Sequence, residues 1–125
     1  MSNTANNVKV RETTCSEELM AIRDSLDILG GKWKLMILRY LSNRQGQDIH
    51  FKKMQREISG ISAKMLSKEL KDLERNLLIT RSVQDQHLIM VYYAITEYGM
   101  SVLPLTENLV EWGLYHRQKI KAEMK

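Results

Sequence analysis

Four cations recur along one stretch of the chain at a spacing that a helix would place on a single face. They are Lys64, Lys68, Lys71 and Arg75. Lysine and arginine side chains neutralise DNA phosphates and donate hydrogen bonds to guanine O6 and N7 in the major groove. A solvated surface helix would carry the same pattern. The spacing alone therefore leaves a nucleic-acid interface and an ordinary surface helix both open.

Leucines occupy the opposite side of the same predicted helix. They are Leu66, Leu70, Leu73 and Leu77, which fall within roughly 60° of one another on a wheel of about 100° per residue. Ser62 precedes the pattern and is a good N-cap, and the helix is predicted to end near Asn76. We expect the leucine face to pack on a core and the cations to face solvent.

The segment before this helix completes a predicted helix-turn-helix. A short helix is expected over residues 51–58, and Ser59-Gly60 breaks it. In a helix-turn-helix the second helix enters the major groove while the first crosses the DNA backbone. The candidate DNA-contacting residues are Lys52 and Lys53 on the first helix, Ser62, Ala63, Lys64, Met65, Ser67, Lys68, Lys71 and Arg75 on the second, and Arg81, Gln86 and His87 on the hairpin that follows.

The distribution of charge agrees with this assignment. The net charge is +4, and residues 49–77 hold seven Lys or Arg against four Asp or Glu, so three of the four excess positive charges lie there. A local basic excess is the electrostatic footprint expected of a nucleic-acid-binding surface.

The remaining elements predict the fold. Apolar periodicity indicates a helix from Glu17 that stops at Gly30-Gly31, and a second, buried helix that begins at Lys32. Two β-like runs, 78–84 and 89–95, flank a polar tip, and Thr96 caps a last long helix that Pro104 kinks. This order predicts a mainly α fold, namely a winged helix-turn-helix with a two-stranded β wing and an added helix at each end. We expect one domain over residues 15–125, after a flexible tail of residues 1–14.

The last helix carries a near-heptad apolar pattern of the kind that joins helices. Its candidate dimer-interface residues are Leu105, Leu109 and Trp112, with Leu19 and Ile22 contributed by the first helix. A homodimer held by these two helices is the prediction. One broad face packed on the domain's own core is the alternative.

Several classes of protein are excluded or disfavoured. The longest apolar run is eight residues, Leu88 to Ile95, whereas a membrane span needs about 20, and the N-terminus lacks a secretory signal. We therefore expect a cytoplasmic protein with no membrane partner. One cysteine and three histidines without ligand spacing predict no metal site. Because metalloprotease, nucleophile-elbow and dinucleotide motifs are missing, we expect neither an enzyme nor a cofactor. A protein-interaction module of the same fold, without DNA binding, stays open.

Three segments together resemble a known family. LDILGGKWKLMILRYL (26–41), GISAKMLSKELKDLERNLLITR (60–81) and YAITEYGMSVLPLTENLVEWG (93–113) are similar to the HxlR family of bacterial transcriptional regulators, which is related to the MarR group. The resemblance implies a homodimer that binds double-stranded DNA at an inverted-repeat operator, regulated by small electrophiles, oxidants or other signals. Two departures are Cys15-Ser16, where the family often has Cys-Pro, and a wing tip without proline.

The resemblance also makes Cys15 a candidate redox sensor. The alternative is a small buried apolar residue in line with the stripe of the first helix. Glu17 and Glu18 disfavour a thiolate, whereas the helix N-terminus favours one. A small-molecule effector is a further candidate partner, since Trp33, Tyr40, Tyr93 and Trp112 could line a ligand pocket at a dimer seam, although helix aromatics are more often plain core.

Overall fold

The computed structural model describes residues 13–85 and 87–124 of the 125-residue chain. Residues 1–12 of the predicted tail and the candidate contact Gln86 lie outside the described residues. The chain divides into two compact units, the first ending at Gly31 and the second beginning at Lys32. Each unit is described by itself.

The first unit is built on helix α1 (Cys15–Leu29), which begins two residues before the predicted start. The Thr14 side chain accepts a hydrogen bond from the Glu17 N–H, and the Glu17 carboxylate accepts one from the Thr14 N–H. This capping box satisfies two otherwise unpaired donors, which moves the start of the helix to Cys15. Hydrogen bonds from the Thr14 backbone and side chain also hold the pKa of Glu17 below its usual value. Gly30 ends the helix, as the sequence predicted.

The second unit contains the helix-turn-helix and the wing. Its elements are α2 (Lys34–Ser42), α3 (Phe51–Glu57), α4 (Ala63–Arg75), β1 (Ile79–Asp85), β2 (Ile89–Ile95), α5 (Glu97–Met100) and α6 (Leu103–Glu123). The strands pair antiparallel, with Ile79 opposite Ile95 and Asp85 opposite Ile89. The predicted fold class is therefore confirmed: the protein is mainly helical with a two-stranded wing.

The core of this unit lies between α2, α3, α4 and the base of the wing. Its largest fully buried side chains are Ile37, Leu38, Ile49, Met54, Leu66, Leu70, Leu73 and Ile79. The predicted central position of α2 is confirmed, although α2 starts at Lys34 rather than Lys32. The Tyr93 N–H donates to the Ile49 carbonyl at 2.8 Å, which ties β2 to the segment between α2 and α3.

The prediction of one long, kinked C-terminal helix is wrong. Thr96 caps only the four-residue α5, and α6 begins at Leu103 with Pro104 in its first turn. Proline has no N–H, and its ring would clash with the carbonyl of Met100, four residues earlier. The helix therefore breaks before Pro104 and restarts where proline is tolerated.

The prediction that Leu77 lies on the inner, leucine face of α4 is also wrong. α4 ends at Arg75, and Leu77 has a φ of 67° and a side chain that is 70% exposed. Its N–H donates to the Glu74 carbonyl, and the Leu78 N–H donates to the Leu73 carbonyl, each at 3.0 Å. These two bonds form a Schellman motif, which requires the left-handed backbone at Leu77 and turns its side chain away from the core.

No helix of the described residues, 13–85 and 87–124, is long and apolar enough to cross a membrane.

Candidate nucleic-acid interface

Helix α4 presents the four predicted cations on its exposed side. The Ser62 hydroxyl accepts from the Met65 N–H at 3.1 Å, which confirms the predicted N-cap. Leu66, Leu70 and Leu73 are buried beneath it. Lys64, Lys68, Lys71 and Arg75, which we call the cationic face, line a shallow groove of about 370 Å³ together with Ser67 and Asp72. Anionic groups of a ligand could lie in this groove against the side chains of one helix.

The N-terminal end of α4 adds short side chains to this surface. Ser62 and Ala63 are exposed, and Met65 is 37% exposed. These positions are where a recognition helix contacts base edges, because its N-terminal residues enter the groove first. The structure thus places these three predicted contacts on the same exposed helix end.

Helix α3 begins at a side-chain cap and is joined to α4 by a glycine turn. The His50 Nδ1 accepts from the Lys53 N–H at 3.2 Å, which is a cap that the sequence analysis did not anticipate. Gly60 has a φ of 88°, a backbone conformation that suits glycine, and a Cβ there would lie 3.7 Å from the Trp33 ring. Lys52 is exposed and Lys53 is partly exposed, so both reach solvent from the first turn of α3.

A network of three side chains also fastens α3 to α2. The Tyr40 hydroxyl donates to the Glu57 carboxylate, and Arg44 lies 3.8 Å above the Tyr40 ring and 3.5 Å from Glu57. Burial, followed by the hydrogen bond to Glu57, raises the pKa of Tyr40 to about 12. Tyr40 therefore stays protonated and keeps donating at any physiological pH. Sequence reasoning missed this network because Glu57 lies 17 positions from Tyr40, in a different helix.

A buried ion pair fixes α4 against α2. Lys34 Nζ lies 2.5 Å from Glu69 Oε1 and 3.3 Å from Asp72 Oδ2. Lys34 is 8% exposed and Glu69 is 5% exposed. Burial opposes the charge of Lys34, but its hydrogen bonds to Glu69 and Asp72 outweigh that effect and raise its pKa. The charged pair is thus retained in the core directly behind the cationic face.

Asp72 also binds two members of the cationic face itself. Its Oδ2 lies 3.1 Å from Lys68 Nζ, and its Oδ1 lies 3.2 Å from Arg75 Nη1. The hydrogen bond from Lys68 is the main cause that lowers the pKa of Asp72. The carboxylate is therefore ionised near neutral pH.

The wing carries few charges and an apolar end. Arg81, Gln84 and His87 are exposed along it, and Leu88 and Ile89 are exposed at its tip. Two of the three predicted wing contacts, Arg81 and His87, thus reach solvent, while Gln86 is outside the described residues.

The predicted dimer-interface residues are exposed in each unit. On α6, Leu105, Leu109 and Trp112 are 42%, 48% and 62% exposed, and the Trp112 ring stacks on His116 at 4.9 Å. On α1, Leu19 and Ile22 are 60% and 56% exposed. Large apolar side chains exposed in rows of this kind are typical of surfaces that another chain covers.

Cys15 is exposed, and it is the first residue of α1. The thiol is therefore not buried within its own unit, and neither is any other residue of α1. The apolar stripe of the same helix is exposed as well, since Leu19 and Ile22 are 60% and 56% exposed.

The aromatic side chains do not share one environment. Tyr40 is buried beneath Arg44, whereas Trp112 is on the exposed side of α6. Tyr40 is therefore part of the core of its unit, and a ligand pocket of these aromatics at a dimer seam stays a prediction. In the part of the chain that the structure describes, no three His, Cys, Asp or Glu side chains are grouped so that they could hold a metal ion.

The fold and the exposed cationic helix together define the winged helix-turn-helix class. The family model of HxlR-like helix-turn-helix proteins matches residues 28–121, and the chain belongs to that family. It is therefore a transcriptional regulator with a helix-turn-helix domain.

Individual relatives agree with this assignment. A helix-turn-helix transcriptional regulator of Halalkalibacterium halodurans is 39% identical over 90 residues, which cover 72% of this chain and 78% of that protein. Among solved structures, a MarR-family regulator from Porphyromonas gingivalis W83 is 31% identical with a TM-score of 0.67, covering 86% of this chain and 97% of that one. The redox regulator HypR in its reduced form is 27% identical with a TM-score of 0.72, covering 82% and 98%.

Proposed function

We propose that the protein binds double-stranded DNA as a homodimer at an inverted-repeat operator, with α4 as the recognition helix. The observation that carries this proposal is the cationic face of α4, exposed over a buried leucine face and preceded by the exposed end Ser62, Ala63 and Met65. Lysines and arginine supply phosphate contacts, and the short side chains let the helix end approach base edges. A regulator with this role acts where the chromosome is, so we place it in the cytoplasm.

The length of α4 supports a dimer. Thirteen residues at about 1.5 Å each give a helix of about 20 Å, which covers only part of one helical turn of DNA. Two such helices about 34 Å apart read two half-sites of a symmetric operator. The exposed apolar residues of α1 and α6 are the surfaces that we assign to the contact between subunits.

Binding to duplex DNA at a stated salt concentration tests the proposal directly. The double variant K64A/K71A should weaken binding and flatten the salt dependence by nearly one unit per lost phosphate contact. The control K119A/K121A removes the same charge from α6 and should keep the parent's affinity and slope. If the parent binds no duplex DNA, or if both variants behave alike, α4 is not the DNA-binding surface. The protein-interaction module would then be the better interpretation.

The form of the operator needs a selection experiment. Sequences recovered from a random duplex pool should contain two inverted half-sites whose centres lie about one helical turn, or a multiple of it, apart. A single asymmetric site would contradict the symmetric dimer.

The subunit contact has its own test. Sedimentation at micromolar concentration should show a dimer for the parent and a monomer for Leu109→Arg. Leu88→Arg, at an exposed apolar residue of the wing, should remain dimeric. A monomeric parent would refute the dimer, and a monomer in the control alone would place the contact on the wing.

A response to oxidants through Cys15 is the second part of the proposal. The exposed thiol at the start of α1 supports it, together with the similarity to the redox regulator HypR. Two Cys15 thiols would lose two protons and two electrons to an added oxidant such as diamide and form a disulfide between subunits. Their Cα atoms must lie within about 7 Å for this bond.

The redox response is tested with diamide on the parent and on Cys15→Ser. Only the parent should form a crosslinked dimer on a non-reducing gel, and its affinity for the selected operator should change. If oxidation leaves both mobility and DNA binding of the parent unchanged, the regulatory signal does not act through Cys15.

A further inference from the structure

The four members of the cationic face differ in how much of their charge is already neutralised. Lys68 and Arg75 are bound to Asp72 at 3.1 and 3.2 Å. Within residues 13–85 and 87–124, Lys64 and Lys71 take part in none of the ion pairs. Half of the cationic face therefore already has an anionic partner from the same helix.

Asp72 is held firmly in this position. Both of its oxygens accept hydrogen bonds from the cationic face, and its Oδ2 also lies 3.3 Å from the buried Lys34 Nζ. Its side chain is 25% exposed, whereas those of Lys68 and Arg75 are 63% and 73% exposed. The carboxylate is therefore a partly buried anchor, and the two cations reach past it into solvent.

We propose that Asp72 limits the sequence-independent affinity of the protein for DNA by occupying Lys68 and Arg75. This inference rests on the proposed DNA-binding function of α4. A phosphate that binds Lys68 or Arg75 must share the cation with the carboxylate or displace it, so the contact gains less than one with an unpaired cation. A phosphate that binds Lys64 or Lys71 displaces only water and mobile ions. The fixed carboxylate also repels phosphates that lie against its side of the groove.

The four cations of α4 therefore contribute unequally to the attraction of phosphates. Lys64 and Lys71 supply most of the phosphate attraction, while Lys68 and Arg75 contribute little until Asp72 is neutralised. Because phosphate contacts supply essentially all of non-specific binding, Asp72 weakens attachment to DNA in general. It leaves the side chains that face base edges, Ser62, Ala63 and Met65, untouched.

The chain offers a matched control for this inference. Glu74 lies on the same helix, about 80° from Lys64 on the wheel in one direction, and Asp72 lies about 80° away in the other. Glu74 is exposed and forms none of the ion pairs found in the described residues. Asp72→Asn and Glu74→Gln therefore remove the same charge, but only the first releases cations.

The measurement is the affinity for a duplex of mixed sequence about 30 base pairs long, which spans about three helical turns, over a range of potassium chloride concentrations. Asp72→Asn should bind about fivefold tighter per released contact near physiological salt, with a log–log salt slope steeper by about one to two units. Glu74→Gln should change both quantities much less. Equal changes in the two variants would mean that only the net charge of the helix matters, and they would overturn the inference.

A second comparison leaves Asp72 in place and so does not depend on the folding of the Asp72 variant. Lys64→Met should lose more affinity and more salt slope than Lys68→Met, because Lys68 is already neutralised. A larger loss for Lys68→Met would overturn the inference. Circular dichroism and thermal unfolding show whether Asp72→Asn is folded, which we expect since Lys34 keeps its buried partner Glu69.

These outcomes separate the inference from the function on which it rests. If Lys64→Met weakens binding but Asp72→Asn does not tighten it, α4 binds DNA and Asp72 has no limiting role. If the parent does not bind the duplex, or Lys64→Met binds like the parent, both the proposed function and the inference are wrong.

Discussion

Replacing Lys34 by methionine should strongly destabilise the protein, because it leaves two acids without their buried partner. Glu69 is 5% exposed and its carboxylate lies 2.5 Å from Lys34 Nζ, so no water can take the place of the ammonium without opening the contact between α2 and α4. Breaking a buried pair on one side costs about 3–5 kcal/mol, which is a large part of the 5–15 kcal/mol that stabilises a typical domain.

The two single replacements of this ion pair should differ in cost. Glu69→Met leaves Lys34 with a second acid, Asp72, at 3.3 Å, so the lysine keeps part of its compensation. Glu69→Met should therefore cost less than Lys34→Met. The double variant Lys34→Met, Glu69→Met replaces both charges by apolar side chains, and its stability should be close to that of the parent or higher.

Urea unfolding followed by far-ultraviolet circular dichroism measures these free energies, at one protein concentration for all variants since the proposed dimer would make stability depend on concentration. Lys119→Met is the control, because its pair with Glu123 is exposed and 3.9 Å long, and it should change stability by at most about 0.5 kcal/mol. A cost below about 1 kcal/mol for Lys34→Met would mean that the pair behaves as a surface ion pair and would refute the reasoning.

Three further predictions concern the elements that position α4. Ser62→Ala should cost about 1 kcal/mol in urea unfolding because the Met65 N–H loses its acceptor, whereas an unchanged midpoint would mean that water replaces the cap. Leu77→Gly should be more stable than Leu77→Ala by about 1 kcal/mol, because only glycine adopts the positive φ without strain, and equal stabilities would contradict that account. Folding raises the pKa of Tyr40 from 10.0 to about 12. Its contribution to the free energy of unfolding is therefore complete below pH 10 and is lost as the pH rises towards 12. Unfolding midpoints should therefore fall more steeply over this range in the parent than in Tyr40→Phe, and parallel curves would exclude Tyr40 as the cause.

The sequence predicts most of the fold because the signals are local. The leucine spacing of α4, its Ser62 cap and the glycine stops at Gly30 and Gly60 each act within one or two turns of backbone, and the structure contains all of them. The errors also have local causes that the periodicity hides. Pro104 fits an apolar helical pattern, but α5 ends before it and a new helix, α6, begins at Leu103. Leu77 continues the leucine spacing but lies past the end of α4.

The contacts that hold the candidate site together could not be predicted in the same way. Lys34 and Glu69 are 35 positions apart, and Tyr40 and Glu57 are 17 apart, so no spacing rule links them. Lys34 belongs to a stretch whose apolar composition predicts burial, yet nothing in that stretch indicates which acid would neutralise its ammonium group. Only the packing of α2 on α4 selects Glu69.

The same limitation affects how charges are counted on a helical wheel. A helical wheel puts Glu69, Asp72 and Glu74 on the flanks of the cationic face, but the structure gives them three different environments. Glu69 is buried against Lys34, Asp72 binds Lys68 and Arg75 from the edge of the groove, and Glu74 is exposed. A count of four cations on one face therefore overstates the charge that is free to attract a phosphate. The sequence sets the number of cations on α4, whereas the fold decides how many of them an acid of the same helix already binds.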